Sequence, residues 1–181
     1  MAFKEIFSDH LKFTLGGDSM SKPNILLTRI DNRLIHGQVG MTWTNTLGAN
    51  LVVVANDEVA GDVMQQNLME MVLPETAAPR FFTLEKTINV IHKAASHQKI
   101  LLVVRTPQDV LTLVEGGVPI DQLNVGNMHF LEGKKQISST VSVDQDDIDT
   151  FKKLDALGVQ MEVRGIPNER SQDLMKLLQD L

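Results

Sequence analysis

Ile25-Leu26-Leu27-Thr28-Arg29-Ile30-Asp31-Asn32-Arg33-Leu34-Ile35-His36-Gly37-Gln38-Val39-Gly40 passes from an apolar run, through an abrupt polar break, into a stretch with helical spacing. Residues 25–30 read as a strand and residues 37–47 as a helix. The same alternation continues outward. Residues 51–55, 80–83, 100–105 and 123–125 read as strands, and residues 59–72, 84–96 and 107–115 carry apolar positions at helical spacing. Leu51-Val52-Val53-Val54-Ala55 and Ile100-Leu101-Leu102-Val103-Val104 are too continuously apolar for a half-exposed sheet, so both faces of those strands are covered. The fold class this predicts is α/β: a single-domain, mostly parallel β-sheet with helices on both faces. Pro107 suits the first turn of a helix, and Gly116-Gly117 its end. Beyond Gly133 the pattern weakens. Residues 136–143 predict an antiparallel hairpin or edge strand, and residues 143–157 a helix with Asp144 as N-cap, stopped by Gly158. Residues 159–163 predict a further strand, and residues 171–181 a closing helix with Leu174, Leu177 and Leu178 on one face.

The chain has 181 residues, enough for one domain of ordinary size. Residues 1–19 read as an appendage, an expression leader or an upstream start, with Gly16-Gly17-Asp18-Ser19 as a joint before Met20; residues 20–181 are the domain. Seventeen Lys and Arg against 23 Asp and Glu give a net charge of −6, which disfavours a sequence-independent grip on nucleic acid or anionic lipid. Any phosphate site is therefore local. The absence of cysteine removes disulfides, thiolate nucleophiles and Cys-ligated zinc, and with no apolar run of membrane-spanning length a cytoplasmic address is expected.

In an open parallel sheet ligands bind outside the carboxyl ends of the strands, where the segment from Arg29 to Gly40 should lie. His36 stands at the entry to a helix, whose positive end favours neutral, nucleophilic imidazole and then the phosphoryl group it would carry. Arg33 offers a planar cationic fork, Gly37 and Gln38 open the helix with free amides, and Asp31 can orient the ring by accepting its other N–H. Phosphoryl transfer asks for an in-line nucleophile and positive groups around the moving oxygens, which His36 and Arg33 supply. No Walker loop, kinase motif set or magnesium cluster is present, so ATP, metal and organic cofactor are not expected. A structural, hydrogen-bonded His36 in a non-catalytic phosphosugar- or nucleotide-binding regulatory module is the competing reading. Asn56, Asp57, Arg105, Gly126 and Asn127 end neighbouring strands and are candidates to line the same rim, although Asp57 and Thr83 also suit helix N-caps. Arg29, Arg33, Arg80 and Arg105 are expected to make that rim locally basic.

The stretch from Arg29 to Val39 resembles the phosphorylation-site segment of IIB subunits in the mannose/sorbose family of the bacterial sugar phosphotransferase system. The likeness extends over most of residues 23–181, including Val54-Ala55-Asn56-Asp57, Gln65-Gln66-Asn67-Leu68-Met69-Glu70-Met71, Leu123-Asn124-Val125-Gly126-Asn127-Met128-His129 and Gly165-Ile166-Pro167. It implies a mostly parallel sheet with an antiparallel edge strand. It also implies a histidine at the position of His36 that takes a phosphoryl group from the phosphohistidine of a IIA protein or domain. That group passes to a sugar carried by membrane subunits IIC and IID, so the resemblance implies a peripheral place beside them and leaves a homodimer open. His36 and Arg33 match the family's motif directly, with Asp31 in support. The segments 65–71 and 126–129 look most like members that handle N-acetylgalactosamine or galactosamine.

Overall fold

The computed structural model describes residues 22–179 and 181, without the side chains of residues 38 and 39. The expectation for residues 1–19 falls outside the described residues. Along the chain run β1 (Ile25–Asp31), α1 (Gly37–Leu47), β2 (Leu51–Ala55), α2 (Val63–Glu70), β3 (Ala78–Phe82), α3 (Leu84–Val90), β4 (Ile100–Val104) and α4 (Pro107–Glu115). They are followed by β5 (Gln122–Asn127), β6 (Lys135–Gln136), β7 (Ser142–Val143), α5 (Gln145–Ala156), β8 (Gln160–Val163), β9 (Gln172–Asp173) and α6 (Leu174–Gln179). The main sheet has the order β3-β2-β4-β1-β5-β8-β9; its pairings are parallel except the last, and β6 with β7 forms a separate antiparallel hairpin.

Strand alternation divides the apolar residues between two faces. Ile30, Val53, Leu102, Val104, Leu123 and Val125 pack with Leu113 of α4, Phe151 and Leu154 of α5 and Leu174 of α6. Leu27, Val52, Val54, Leu101 and Val103 pack on the opposite face with Trp43 of α1 and Met69 of α2. This is the two-faced burial expected from the continuous apolar runs. No helix among the described residues is long and apolar enough to cross a membrane.

Several predicted elements are shorter, each for a local reason. The stretch 59–72 divides into a 3-10 turn at Val59–Gly61 and α2, because Asp62 leaves the helical conformation and its carboxylate accepts the Gln65 amide at 3.1 Å. Thr83, read as the end of β3, is the N-cap of α3, and residues 91–93 form a 3-10 turn rather than more of that helix. The closing helix starts at Leu174 because Gln172 and Asp173 first pair antiparallel with β8. Two residues of pairing are too few to show a period.

Asp144 caps α5 in a reciprocal capping box with Asp147, and Lys134 joins both carboxylates at 3.3 and 2.6 Å. The Asp147 amide, followed by Lys134, holds the Asp144 carboxyl below its ordinary value. Asp144→Ala is therefore expected to cost about 1 kcal/mol at neutral pH. The contribution is complete above the carboxyl range of the unfolded chain, and disappears as pH falls through the depressed folded value. Urea melts of both proteins at neutral and acid pH should converge on the acid side.

The connection leaving β1 runs toward β2 on one side of the sheet, whereas that leaving β5 runs toward β8 on the other. β1 and β5 are neighbours, so their carboxyl ends flank a crevice where the winding reverses. That crevice is the usual ligand position in open α/β sheets.

Candidate active site

Alternation along β1 turns Leu27, Arg29 and Asp31 toward α1. Asp31, at the strand's carboxyl end, is 0% exposed. Its Oδ1 accepts the Arg33 amide at 3.1 Å, and its Oδ2 accepts Arg29 Nη2 at 3.0 Å. The same Oδ2 lies 3.3 Å from Nε2 of His36. Nδ1 of His36 has no hydrogen-bond partner among the described residues, and the side chain is 22% exposed. The ring is thus held at one nitrogen and available at the other.

The backbone places the ring there. Leu34 N–H returns to Asp31 C=O at 2.8 Å, and Leu34 adopts φ 57° to close the turn, with its side chain and that of Ile35 anchored in the core. His36 is the N-cap of α1 in extended conformation and makes no side-chain cap bond, so its imidazole is not consumed in starting the helix. Gly37 has φ 44°, a region costly for side chains bearing Cβ, and open space around it. Backbone geometry therefore accounts for this glycine, alongside any need for close approach. The first-turn amides of α1, from residues 37–39, lack intrahelical acceptors. Gln38 belongs to this turn; its side chain is outside the described residues.

Arg33 lies over the rim with its side chain 49% exposed, and its Nε is 3.6 Å from Asp31 Oδ1. It remains available to a second anion. The rest of the rim is laced by Asn32, which the sequence reading passed over. Its amide N–H donates to Asn127 C=O at 3.0 Å, its Nδ2 donates to Arg105 C=O at 3.1 Å, and its Oδ1 accepts the His129 amide at 2.6 Å. One side chain joins the ends of β1, β4 and β5. Asn127 pairs with Asp31 beyond a register shift that skips Gly126, and its Nδ2 faces the His129 ring at 3.4 Å.

Other candidates hold different posts. The Asn56 side chain is buried and accepts the Val59 amide at 3.0 Å, shaping the turn after β2. Asp57 accepts the Leu84 amide at 2.9 Å, so its carboxylate is committed to the start of α3. Arg105 pairs with Glu58, which draws its guanidinium along the rim. Asp109 accepts the amides of Arg105 and Thr106 at the start of α4, and burial pushes its carboxyl above the ordinary value.

One expectation needs correction, that Arg29 adds to a basic rim. A Cβ at Gly126 would overlap the Arg29 guanidinium, so the missing side chain makes space for a buried arginine. Arg29 accordingly adds nothing to a basic surface. Its side chain is 5% exposed, desolvation lowers its pKa against the opposing pull of Asp31, and it lies 5.3 Å from the Trp43 ring centre. A buried charge is tolerated only when paired, and Asp31 supplies the pair. The residue alternation of β1 was the available signal for Arg29; none marked Asn32, whose partners are remote in the chain.

Comparison with known proteins agrees with this architecture. Residues 25–181 match the family model of the PTS system sorbose subfamily IIB component. The N-acetylgalactosamine-specific phosphotransferase enzyme IIB component 2 of Escherichia coli K12 is 62% identical over 156 residues, covering 86% of this chain and 99% of that protein. The crystal structure of the E. coli N-acetylgalactosamine-specific IIB component 1 superposes with a TM-score of 0.80 at 57% identity, covering 83% of this chain and 99% of that one. The IIB domain of the Klebsiella pneumoniae sorbose permease gives 0.82 at 35% identity, covering 87% and 97%. With its crevice at the winding reversal and its histidine at the head of α1, the chain belongs to the sorbose subfamily of phosphotransferase-system IIB components.

Proposed function

We propose that this chain is a phosphohistidine relay: His36 accepts a phosphoryl group from phosphohistidine on a IIA protein or domain. It then yields the group to a sugar moved by the membrane subunits IIC and IID. The observation that carries this reading is the division of labour on one ring: Nε2 is held by buried Asp31 at 3.3 Å, and Nδ1 has no hydrogen-bond partner among the described residues in a side chain that is 22% exposed. With Nε2 carrying the proton that Asp31 accepts, the Nδ1 lone pair is the nucleophile. It attacks phosphorus in line; the new N–P bond forms as the bond to the IIA imidazole breaks, and the donor nitrogen leaves with the electron pair. In the second step a sugar hydroxyl oxygen attacks phosphorus, the bond to His36 Nδ1 breaks, and the hydroxyl proton is released to solvent. Neither step consumes ATP. The names of the similar proteins support N-acetylgalactosamine as the sugar.

Arg33 and the first-turn amides of α1 are the positive groups for the transferring oxygens. Arg33→Ala is expected to label about 100-fold more slowly, the usual cost of losing one donor to developing charge. Quench-flow labelling by phosphorylated IIA checks the rate. Its surface pairing with Asp31 contributes only about 0–1 kcal/mol, so the variant should keep its fold.

Mass spectrometry after incubation with phosphorylated IIA tests the relay itself. Phosphate on His36, discharged by the membrane subunits and N-acetylgalactosamine, supports it. Saturable binding of phosphosugar or nucleotide with no covalent transfer would instead establish a regulatory binding module.

A further inference from the structure

We propose that Arg29 is a positioning residue of this transfer: its buried guanidinium fork fixes the Asp31 carboxylate, and through it the orientation and tautomer of His36. The inference rests on the relay reading above. Arg29 never reaches the reacting nitrogen; it acts one residue removed.

The fork is held from several directions. Nη2 donates to Asp31 Oδ2 at 3.0 Å, while Nη1 donates to Asn124 Oδ1 at 2.5 Å and to Arg164 C=O at 3.3 Å. Asn124 is itself fixed, its Nδ2 donating to Glu162 Oε1 at 3.2 Å and to Arg164 C=O at 3.1 Å. The strand registers explain the row: Arg29 of β1 pairs with Asn124 of β5, which pairs with Glu162 of β8. These polar groups cross three adjacent strands beneath α1.

From the helix side, Trp43 covers the Arg29 guanidinium and donates Nε1–H to Gly165 C=O at 3.0 Å. From the strand side, Gly126 supplies the space that any Cβ would fill. An arginine whose only task was to neutralise Asp31 would need one contact. This one is held in a single orientation, with one N–H on the same carboxylate oxygen that faces His36 Nε2. Without Arg29, the Arg33 amide alone would hold Oδ1, Oδ2 could swing away from the ring, and His36 would be free to carry its proton on Nδ1, the nitrogen that must attack. An ammonium retains the charge but lacks a fork matched to two acceptors at once.

Arg29→Lys and Arg29→Met separate geometry from charge. Imidazole 15N–1H correlation spectra should show His36 protonated at Nε2 and bare at Nδ1 in the neutral wild-type ring, with a mixture of tautomers in Arg29→Lys and a larger shift in Arg29→Met. The saturated rate of labelling by phosphorylated IIA should fall about tenfold or more in Arg29→Lys, as expected for a misplaced reacting group, with its half-saturating concentration within about twofold. If Arg29→Met fails to fold, Arg29→Lys decides. A folded Arg29→Lys protein with the wild-type tautomer and wild-type rate overturns the proposal. Failure of the wild-type protein to take label would overturn the relay reading instead, while the tautomer spectra would still report on Arg29.

Discussion

His36→Ala is expected to take no acid-labile phosphate from phosphorylated IIA, and to abolish phosphorylation of sugar by the reassembled system. No other group among the described residues combines a free imidazole nitrogen, a carboxylate holding the other nitrogen, and a position at the head of a helix beside an exposed arginine. Removing the nucleophile eliminates the covalent path, so the expected effect is loss of label rather than a slower rate. The structure also separates this result from unfolding. His36 makes no side-chain cap bond, is partly exposed, and occupies its backbone conformation without positive φ. Removing the ring costs Asp31 one partner while Arg29 and the Arg33 amide remain on the carboxylate, so the loss should be near that of one hydrogen bond, about 0.5–1.5 kcal/mol, and the variant should stay folded. Full acid-labile labelling in folded His36→Ala would move the acceptor elsewhere and remove the basis of the proposed relay.

For Asp31→Asn the largest effect should be on stability. The carboxylate is wholly buried, and Arg29 beside it is nearly so. Neutralising one partner strands the other's charge in the interior, a change that usually costs about 3–5 kcal/mol. At roughly 2–4 °C per kcal/mol for a domain of this size, the melting temperature should drop by about 10 °C. Arg33→Ala removes a contact to the same carboxylate, yet should cost far less because that side chain is half in solvent. The pair of variants therefore tests burial rather than proximity. Thermal and urea melts giving equal, small losses for both would show that Asp31 is not the electrostatic centre of the crevice. At temperatures where Asp31→Asn remains folded, its labelling should also be slow, because His36 loses the acceptor that selects its tautomer.

Much of this architecture is legible locally. Continuous apolar runs at residues 51–55 and 100–104 announce strands buried on both faces, since a half-exposed strand would have to alternate. Thr106-Pro107 and Asp144 announce helix starts through the chemistry of the first turn, and both form capping boxes. The polar break after β1, with His36 before Gly37, is legible for the same reason: strand, loop and helix start are neighbours in sequence. The β9 pairing was not legible, because two residues carry no periodicity. The roles of Asp57 and Asn56 were open from sequence, since a polar residue after a strand can face a ligand or cap a neighbouring element; their acceptor geometry assigns Asn56 to the turn after β2 and Asp57 to the start of α3.

Sequence by itself determined that this chain forms a mostly parallel α/β domain with a histidine at the end of its first strand, because periodicity, caps and apolar runs act within a few residues. Only the tertiary structure decided that Arg29 lies inside, that Gly126 exists to admit it, and that Asn32 ties three strand ends together. Those relations join side chains far apart in the chain. Their partners are chosen by strand order and register, which depend on how all the helices pack across both faces of the sheet, and no single segment carries that information.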